Sequence, residues 1–419
     1  MALQWKEASE SGLRILRLLF QQASTKNRLR KIMRSKILVG IDPGTHQIRV
    51  SVARFTSDTP NILGIGFGPA EGFSEGYVTS IADASRSLAS AIKKAEESAR
   101  IKIREAVFSF SGASLTSEIV IGSTVVSKAD GKVTERDVEL CEKDAERLAA
   151  SPNKRILHAY TLGYKLDGIK VQGRPEGLTG TKLECRVMFV TCLARHISLL
   201  LEVAETLGVE VVDIIAGPLA AAEICLSPAQ KLAGSALVDI GASNVTLAVY
   251  EDGNPIFVRA MPNTGSNRIT NDISIGFKIQ LEEAESIKVG NLIGNYNTVQ
   301  VEKIIHSRLG DIFDLVDTHL GKIKRRQLLP GGAVIVGGGA NIPRVDEIAR
   351  DILELPAKVA SAEILKDAKS KLRDASWFTV FGLLYMARES HARFETDSAS
   401  GFWRNLKKLF GTGVNQLIP

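Results

Sequence analysis

Cysteine is scarce in this chain and forms no pattern where it occurs. Cys141, Cys185, Cys192 and Cys225 are scattered without a CxxC pair, and the six histidines show no metal-ligand spacing. A zinc site and a disulfide framework are both excluded, and a reducing, cytoplasmic setting is expected. Runs of about 18 apolar residues, the length needed to span a bilayer, are absent, so any membrane contact must be peripheral. The N-terminal stretch Leu13 to Phe20 is broken by Arg14 and Arg17 and lacks a small-residue cleavage motif, which argues against a secretory signal. Neither GxxxxGK[ST] nor a strand-linked GxGxxG occurs, so P-loop and Rossmann sites are not expected.

What is present is an ordinary globular composition, 44% hydrophobic and 24% charged, in 419 residues. That length exceeds what one hydrophobic core usually supports, so two or more domains are expected. The net charge of +6 is unevenly placed. Residues 1–36 carry nine Lys/Arg against two Glu, and the last twenty residues add Arg404, Lys407 and Lys408 without an acid. The body between them is therefore mildly acidic. Basic ends on an acidic body suit an anionic membrane surface, whereas a nucleic-acid-binding protein would carry a basic face on its folded domain.

Three glycine-bearing segments follow apolar, β-type runs. Ile37 to Thr45 reads ILVGIDPGT and is followed by an alternating run toward Phe55; Ala236 to Asn244 reads ALVDIGASN and is followed by Val245 to Tyr250, a turn at Asp252-Gly253, and Pro255 to Arg259. Both read as strand, tight turn, strand. Their similarity predicts an internal repeat and hence two lobes of related fold. The third segment, AVIVGGGANIP from Ala333 to Pro343, reads as a strand entering a glycine turn and then the helical pattern Val345 to Leu353. Apolar spacing of three and four predicts further helices at about 79–99, 134–150, 195–207, 218–225, 280–289 and 298–320, and residues 390–400 read as a polar linker. The fold expected is α/β.

Glycine turns let main-chain N–H groups close on a phosphate without a Cβ in the way, and two facing turns can clamp a triphosphate. Asp42 and Asp239, each at the end of an apolar strand, are placed to hold Mg²⁺ through water. The order of the three motifs resembles the two phosphate loops and the adenosine loop of the actin, sugar-kinase and heat-shock-chaperone superfamily, over about residues 37–389. By position the resemblance assigns Asp42, Gly44, Thr45 and Arg49 to the first phosphate loop, with Arg49 where actins keep Lys. Asp239, Gly241, Ala242, Ser243 and Asn244 fall in the second, and Gly337, Gly338, Gly339 and Asn341 in the adenosine loop. Glu285 and Lys288 match the AExxK helix over adenine and ribose. ATP and Mg²⁺ are the cofactors this implies.

Within the superfamily the wording is similar to the FtsA family of cell-division actin homologues. Phe108 to Gly112 through Ile121-Gly122, Gly177-Leu178-Thr179-Gly180 followed by Leu183 to Thr191, Glu283 to Val289, and a linker with an amphipathic tail after the last core helix carry the likeness. It implies an actin-like fold with a first lobe at 37–104 and 194–235, an FtsA-type inserted subdomain at 105–193, and a second lobe at 236–389. It also implies filaments of the chain with itself, binding of the FtsZ C-terminal peptide, contact with other division proteins and with anionic lipids, and a place on the cytoplasmic face of the membrane at the division site. The basic stretch Lys322, Lys324, Arg325 and Arg326 is a candidate for the FtsZ surface, with a solvated basic loop as the alternative. A pilus-assembly actin homologue and a chaperone-type ATPase are the rival readings.

Relatives often carry Glu-Pro-x-Ala-Ala-Ala before the second phosphate loop, but here the run is Gly217-Pro218-Leu219-Ala220-Ala221-Ala222. A glycine has no side chain to orient water, so at most weak hydrolysis is expected. Residues 1–32 do not match the family pattern; translation starting at Met33 and a second amphipathic membrane segment are both compatible with them. In the tail 401–419, Phe402, Trp403, Leu406, Leu409 and Phe410 fall within roughly 120° of a helix turning about 100° per residue, with Arg404, Asn405, Lys407 and Lys408 opposite. This reads as an amphipathic helix lying in the membrane interface.

Overall fold

The computed structural model describes residues 37–56, 59–291, 296–361 and 374–396. The basic extension 1–36 and the amphipathic tail 401–419 lie outside them. The chain opens with β1 (Ile37–Pro43), β2 (Gln47–Phe55), β3 (Pro60–Pro69), the small hairpin β4 (Phe73–Ser74) and β5 (Tyr77–Val78), and helix α1 (Ile81–Ala99). There follow β6 (Glu105–Phe110), β7 (Thr116–Val125), α2 (Glu135–Ala149), β8 (Lys154–Leu166), β9 (Ile169–Val171), β10 (Lys182–Leu193), α3 (Ala194–Thr206), β11 (Glu210–Ala216), α4 (Gly217–Cys225) and α5 (Pro228–Ala233). The second half runs through β12 (Ser235–Ile240), β13 (Val245–Glu251), β14 (Asn254–Met261), α6 (Asn267–Phe277), α7 (Leu281–Lys288), α8 (Thr298–Lys322), β15 (Ala333–Val336), α9 (Val345–Leu353), β16 (Ala357–Val359) and α10 (Phe378–Thr396).

The internal repeat is larger than the hairpins that announce it. One sheet has the order β11-β6-β1-β2-β3, and β16-β15-β12-β13-β14 repeats that order at one end of the other. In each, the first two pairings of the hairpin unit are antiparallel and the last two strands join in parallel. Parallel strands must be covered on both faces, which is why β15 reads as an unbroken apolar run and β6 is buried from Ala106 to Phe110.

Between the halves, β7, β10, β8 and β9 form an antiparallel sheet that joins β14 through the single pair Arg259↔Thr116. Helix α2 covers one face of it. Thr134 caps that helix in a capping box with Asp137, worth about 1 kcal/mol. Val138, Cys141 and Ala145 then recur on one face and close a separate small core with Leu183, Cys185 and Phe189. The remaining buried residues form one core running through both lobes.

Three boundaries differ from those expected. β6 belongs to the first sheet, so the inserted subdomain begins after Phe110 rather than at 105, because a strand buried on both faces needs the parallel neighbours β1 and β11. The last helix does not belong to the second lobe, as an extent of 236–389 would have it. α10 packs on the first: a Cβ on its Gly382 would lie 1.8 Å from the Ala220 carbonyl oxygen of α4, so glycine there lets the two helices touch backbone to backbone. Finally, α10 continues to Thr396, through much of the stretch 390–400 read as a linker; that part contains neither Gly nor Pro to stop it.

Candidate functional site

The β1–β2 and β12–β13 turns face one another across the gap between lobes, and the glycine turn after β15 closes one side. Together they line a cleft of about 580 Å³, within the usual range for a small-molecule site. All the residues named for the two phosphate loops, Asp42, Gly44, Thr45 and Arg49 and then Asp239, Gly241, Ala242, Ser243 and Asn244, lie on its walls. Gly337, Gly338, Gly339 and Asn341 join them, as do Glu285 and Lys288 from α7.

The turn after β12 is braced from behind. The carbonyls of Gly241, Ala242 and Ser243 accept hydrogen bonds from the backbone N–H groups of Ser266, Asn267 and Gly265. Among the described residues no backbone acceptor takes the N–H groups of Ala242 and Ser243, which is the arrangement of an anion-binding nest. Asn244 reaches across the gap: its Nδ2 donates to the Glu75 carbonyl at 2.7 Å and to that of Ser111 at 3.4 Å. The first phosphate loop touches the same hairpin, with Gly76 N–H donating to Thr45 Oγ1 at 3.1 Å.

Charge is concentrated at the cleft floor. Burial raises the Asp42 pKa, against the hydrogen bond donated by Ser109 and the charge of Arg49. Burial and the neighbouring Asp42 push Asp239 up to about 7, with Arg49 acting in the opposite direction. Arg49 is itself lowered by burial, opposed by Asp42, Asp374 and Asp239, and its guanidinium carbon lies 5.8 Å from the Trp377 ring centroid. On the other wall, Lys288 pairs with Glu285 at 2.6 Å, and Thr270 donates to the same carboxylate. Burial works to raise the Glu285 pKa, but those contacts outweigh it and hold it below the usual range.

The adenosine-loop glycines are not equivalent. Gly337 has φ +87, and a Cβ on it would stand 2.2 Å from Asp239 Oδ1. One on Gly339 would stand 2.3 Å from Ile240 Cγ2, whereas one on Gly338 would meet nothing within 4 Å. Two of the glycines let the loop seat on β12; the middle one leaves open space facing the cleft. Gly217 also has a local reason, since a Cβ there would lie 2.0 Å from Ser111 Oγ.

Several residues of the site carry no sequence motif. Trp377, Thr270 and Asp374 are distant in sequence from the residues they contact, whereas Thr246, opposite Asp239 in the hairpin register, could have been found by counting along the strand. The basic stretch at the end of α8 is not a free patch: Arg325 is paired with Glu251 at 2.6 Å and the exposed Arg326 with Asp317 at 2.7 Å, while Lys322 and Lys324 are exposed beside them.

Two lobes of equal strand order around one glycine-lined cleft define the actin-like ATPase fold. Solved structures share it: the PilM-PilN type IV pilus biogenesis complex at TM-score 0.63 and 17% identity, covering 84% of this chain and 98% of that one. ADP-bound MreB5 of Spiroplasma citri follows at TM-score 0.52 and 14% identity, over 87% and 100%. Two family models match by sequence, "SHS2 domain inserted in FTSA" over residues 112–191 and "Cell division protein FtsA" over residues 236–382. Cell division protein FtsA of Bacillus subtilis is 29% identical over 375 residues, 84% of each chain. Its namesake in Pseudomonas aeruginosa is 27% identical over 393, covering 88% of this chain and 94% of that one. The chain belongs to the FtsA family of cell-division proteins.

Proposed function

We propose that this FtsA-family chain binds Mg-ATP between its lobes, assembles with itself into actin-like filaments, and tethers the FtsZ ring to the cytoplasmic face of the membrane at the division site. The observation that carries the nucleotide reading is the convergence of three glycine turns on one cleft whose walls hold unpartnered buried polar atoms. Among the described residues Arg49 Nε, Asn244 Oδ1 and Thr246 Oγ1 find no hydrogen-bond partner, and each belongs to a lining residue. Buried polar atoms are rarely left so, and a polyanion with bound water satisfies donors and acceptors alike.

In this reading the N–H groups of Ala242 and Ser243 hold phosphate oxygens, and Arg49 supplies a fixed cation. Asp42 and Asp239 orient water molecules around Mg²⁺, whose chemistry is to neutralise charge on the phosphates. Glu285 and Lys288, locked together, present polar atoms toward ribose and base, and Gly338 leaves room for the adenosine. No side chain at Gly217 activates water, so turnover is slow and the nucleotide acts chiefly as a structural ligand. Asn244 then ties lobe closure to the occupied state.

Filament formation multiplies weak membrane contacts. Each tail brings Phe402, Trp403, Leu406, Leu409 and Phe410 to the acyl boundary, and Arg404, Lys407 and Lys408 add roughly 1 kcal/mol apiece near anionic lipid. One tail binds reversibly; an array binds through avidity. Of the rival readings, the pilus scaffold shares the fold, while the likeness of the inserted subdomain to that of FtsA favours the division role. The test is co-sedimentation with FtsZ and anionic liposomes, with and without Mg-ATP. Recovery of FtsZ with the vesicles only when this chain is present supports the proposal; an FtsZ-independent, nucleotide-indifferent pellet overturns it.

A further inference from the structure

We propose that Asp374, which does not line the cleft, is a positioning residue that holds the adenosine loop through Asn341 and sets the charge that Arg49 presents to the phosphates. The inference rests on the nucleotide reading above. A single oxygen, Asp374 Oδ1, accepts hydrogen bonds from Asn341 Nδ2 at 3.0 Å and from the Ser376 backbone N–H at 2.8 Å. The first fastens the adenosine loop; the second shapes the short turn Ala375–Trp377 that leads into α10. The carboxylate also faces the charge of Arg49. From the same turn, Trp377 covers that guanidinium and is itself held by Phe67 and Phe381, with ring centroids at 5.9 Å in both cases.

The position in the chain makes this pairing consequential. Asn341 belongs to the second lobe and Arg49 to the first, and the turn carrying Asp374 is where the chain passes from one to the other before α10 packs on the first lobe. One acidic side chain therefore connects the adenosine end of the cleft to its phosphate end. Three carboxylates, Asp42, Asp374 and Asp239, act through their charge on one guanidinium. Withdrawing one of these charges leaves Arg49 less neutralised and the cleft floor more attractive to a triphosphate, whereas withdrawing the hydrogen bond frees Asn341.

These two roles can be separated by substitution. Asp374→Asn keeps an Oδ1 able to accept both hydrogen bonds and removes only the charge; Asp374→Ala removes both. The full-length protein and the two variants are titrated calorimetrically with ATP, ADP and adenosine. Asp374→Ala is expected to weaken adenosine binding by about tenfold, the worth of a hydrogen bond that positions a binding group. Asp374→Asn is expected to hold adenosine within about twofold of the wild type and to raise the preference for ATP over adenosine by roughly threefold, the scale of one partly screened charge. A merely structural role would move all three ligands together and would not separate the variants. If the wild type binds ATP and either Asp374→Ala binds like it or both variants lose all three ligands equally, this inference is overturned while the nucleotide reading stands. Failure of the wild type to bind any of the three overturns both.

Discussion

Asp42 and Asp239 are the same residue of two repeated hairpins: each is the penultimate residue of its strand, and each faces a partner across the turn, Arg49 for Asp42 and Thr246 for Asp239. The repeat thus supplies two carboxylates but only one cation. With burial unfavourable to both charges, the lobe lacking the cation carries the carboxylate pushed up to about 7.

The pH dependence follows from that asymmetry. A carboxyl whose folded pKa is raised contributes stability fully present below its unfolded value of about 4 and lost as pH rises through the folded value. Without nucleotide or Mg²⁺, the contribution of Asp239 to folding therefore declines between about pH 4 and pH 7, and Asp42 acts in the same direction. Thermal melts should show Asp239→Asn flattening this decline, and Mg-ATP should raise the melting temperature more at pH 8 than at pH 6. Equal stabilisation at both pH values would contradict the assignment of a metal to this pair.

The three adenosine-loop glycines should respond differently to side chains. Gly338→Trp should fold normally and abolish ATP binding, since its side chain extends into open cleft. Gly337→Ala should cost about 1–3 kcal/mol of stability, because φ +87 is strained for alanine and Asp239 stands in the way. Calorimetry beside denaturant unfolding separates the two; ATP binding by Gly338→Trp at wild-type strength would place the adenosine elsewhere.

Reinstating a side chain at position 217 should not create a fast ATPase. Gly217→Glu places a Cβ against Ser111 Oγ, and overpacking of this kind destabilises by about 1–3 kcal/mol. Ser111→Ala in the same chain should recover part of that loss. Phosphate release and melting temperature, measured together, decide the matter, and an accelerated, fully stable Gly217→Glu would show that the glycine has no packing role.

Asn244→Ala removes the side chain that links the second phosphate loop to Glu75 and Ser111. The expected loss is about 1–2 kcal/mol, with faster hydrogen exchange at residues 75–76 and 111–113 and weaker ATP binding. Unchanged exchange would mean that the lobes are held together by other contacts.

Removal of residues 401–419 should release the protein from anionic liposomes and leave ATP binding intact, and Trp403→Glu should do nearly the same. Continued co-sedimentation of the truncated chain would assign the membrane contact to the basic extension 1–36.

Much of the local structure was legible because short-range periodicity reports local burial. The helix expected at 134–150 spans Glu135–Ala149, capped by Thr134, and that expected at 298–320 spans Thr298–Lys322. Helix α6 was not anticipated, although Ile269, Ile273 and Phe277 recur at intervals of four along it. The loop residues of the cleft were legible for another reason, since glycines beside an aspartate at a strand end are a local chemical pattern that needs no tertiary information.

By itself, then, the sequence determined the turns, most helices and the doubled hairpin, each governed by interactions within a few residues. Tertiary structure alone decided that Glu105–Phe110 lies between β1 and β11, that α10 closes on the first lobe, and that Asp374 holds Asn341 while its charge acts on Arg49. Parallel pairing, backbone contact at Gly382 and a shared carboxylate all join residues far apart in the chain. No repeat period or local motif records such meetings; they arise only when the two lobes fold against each other.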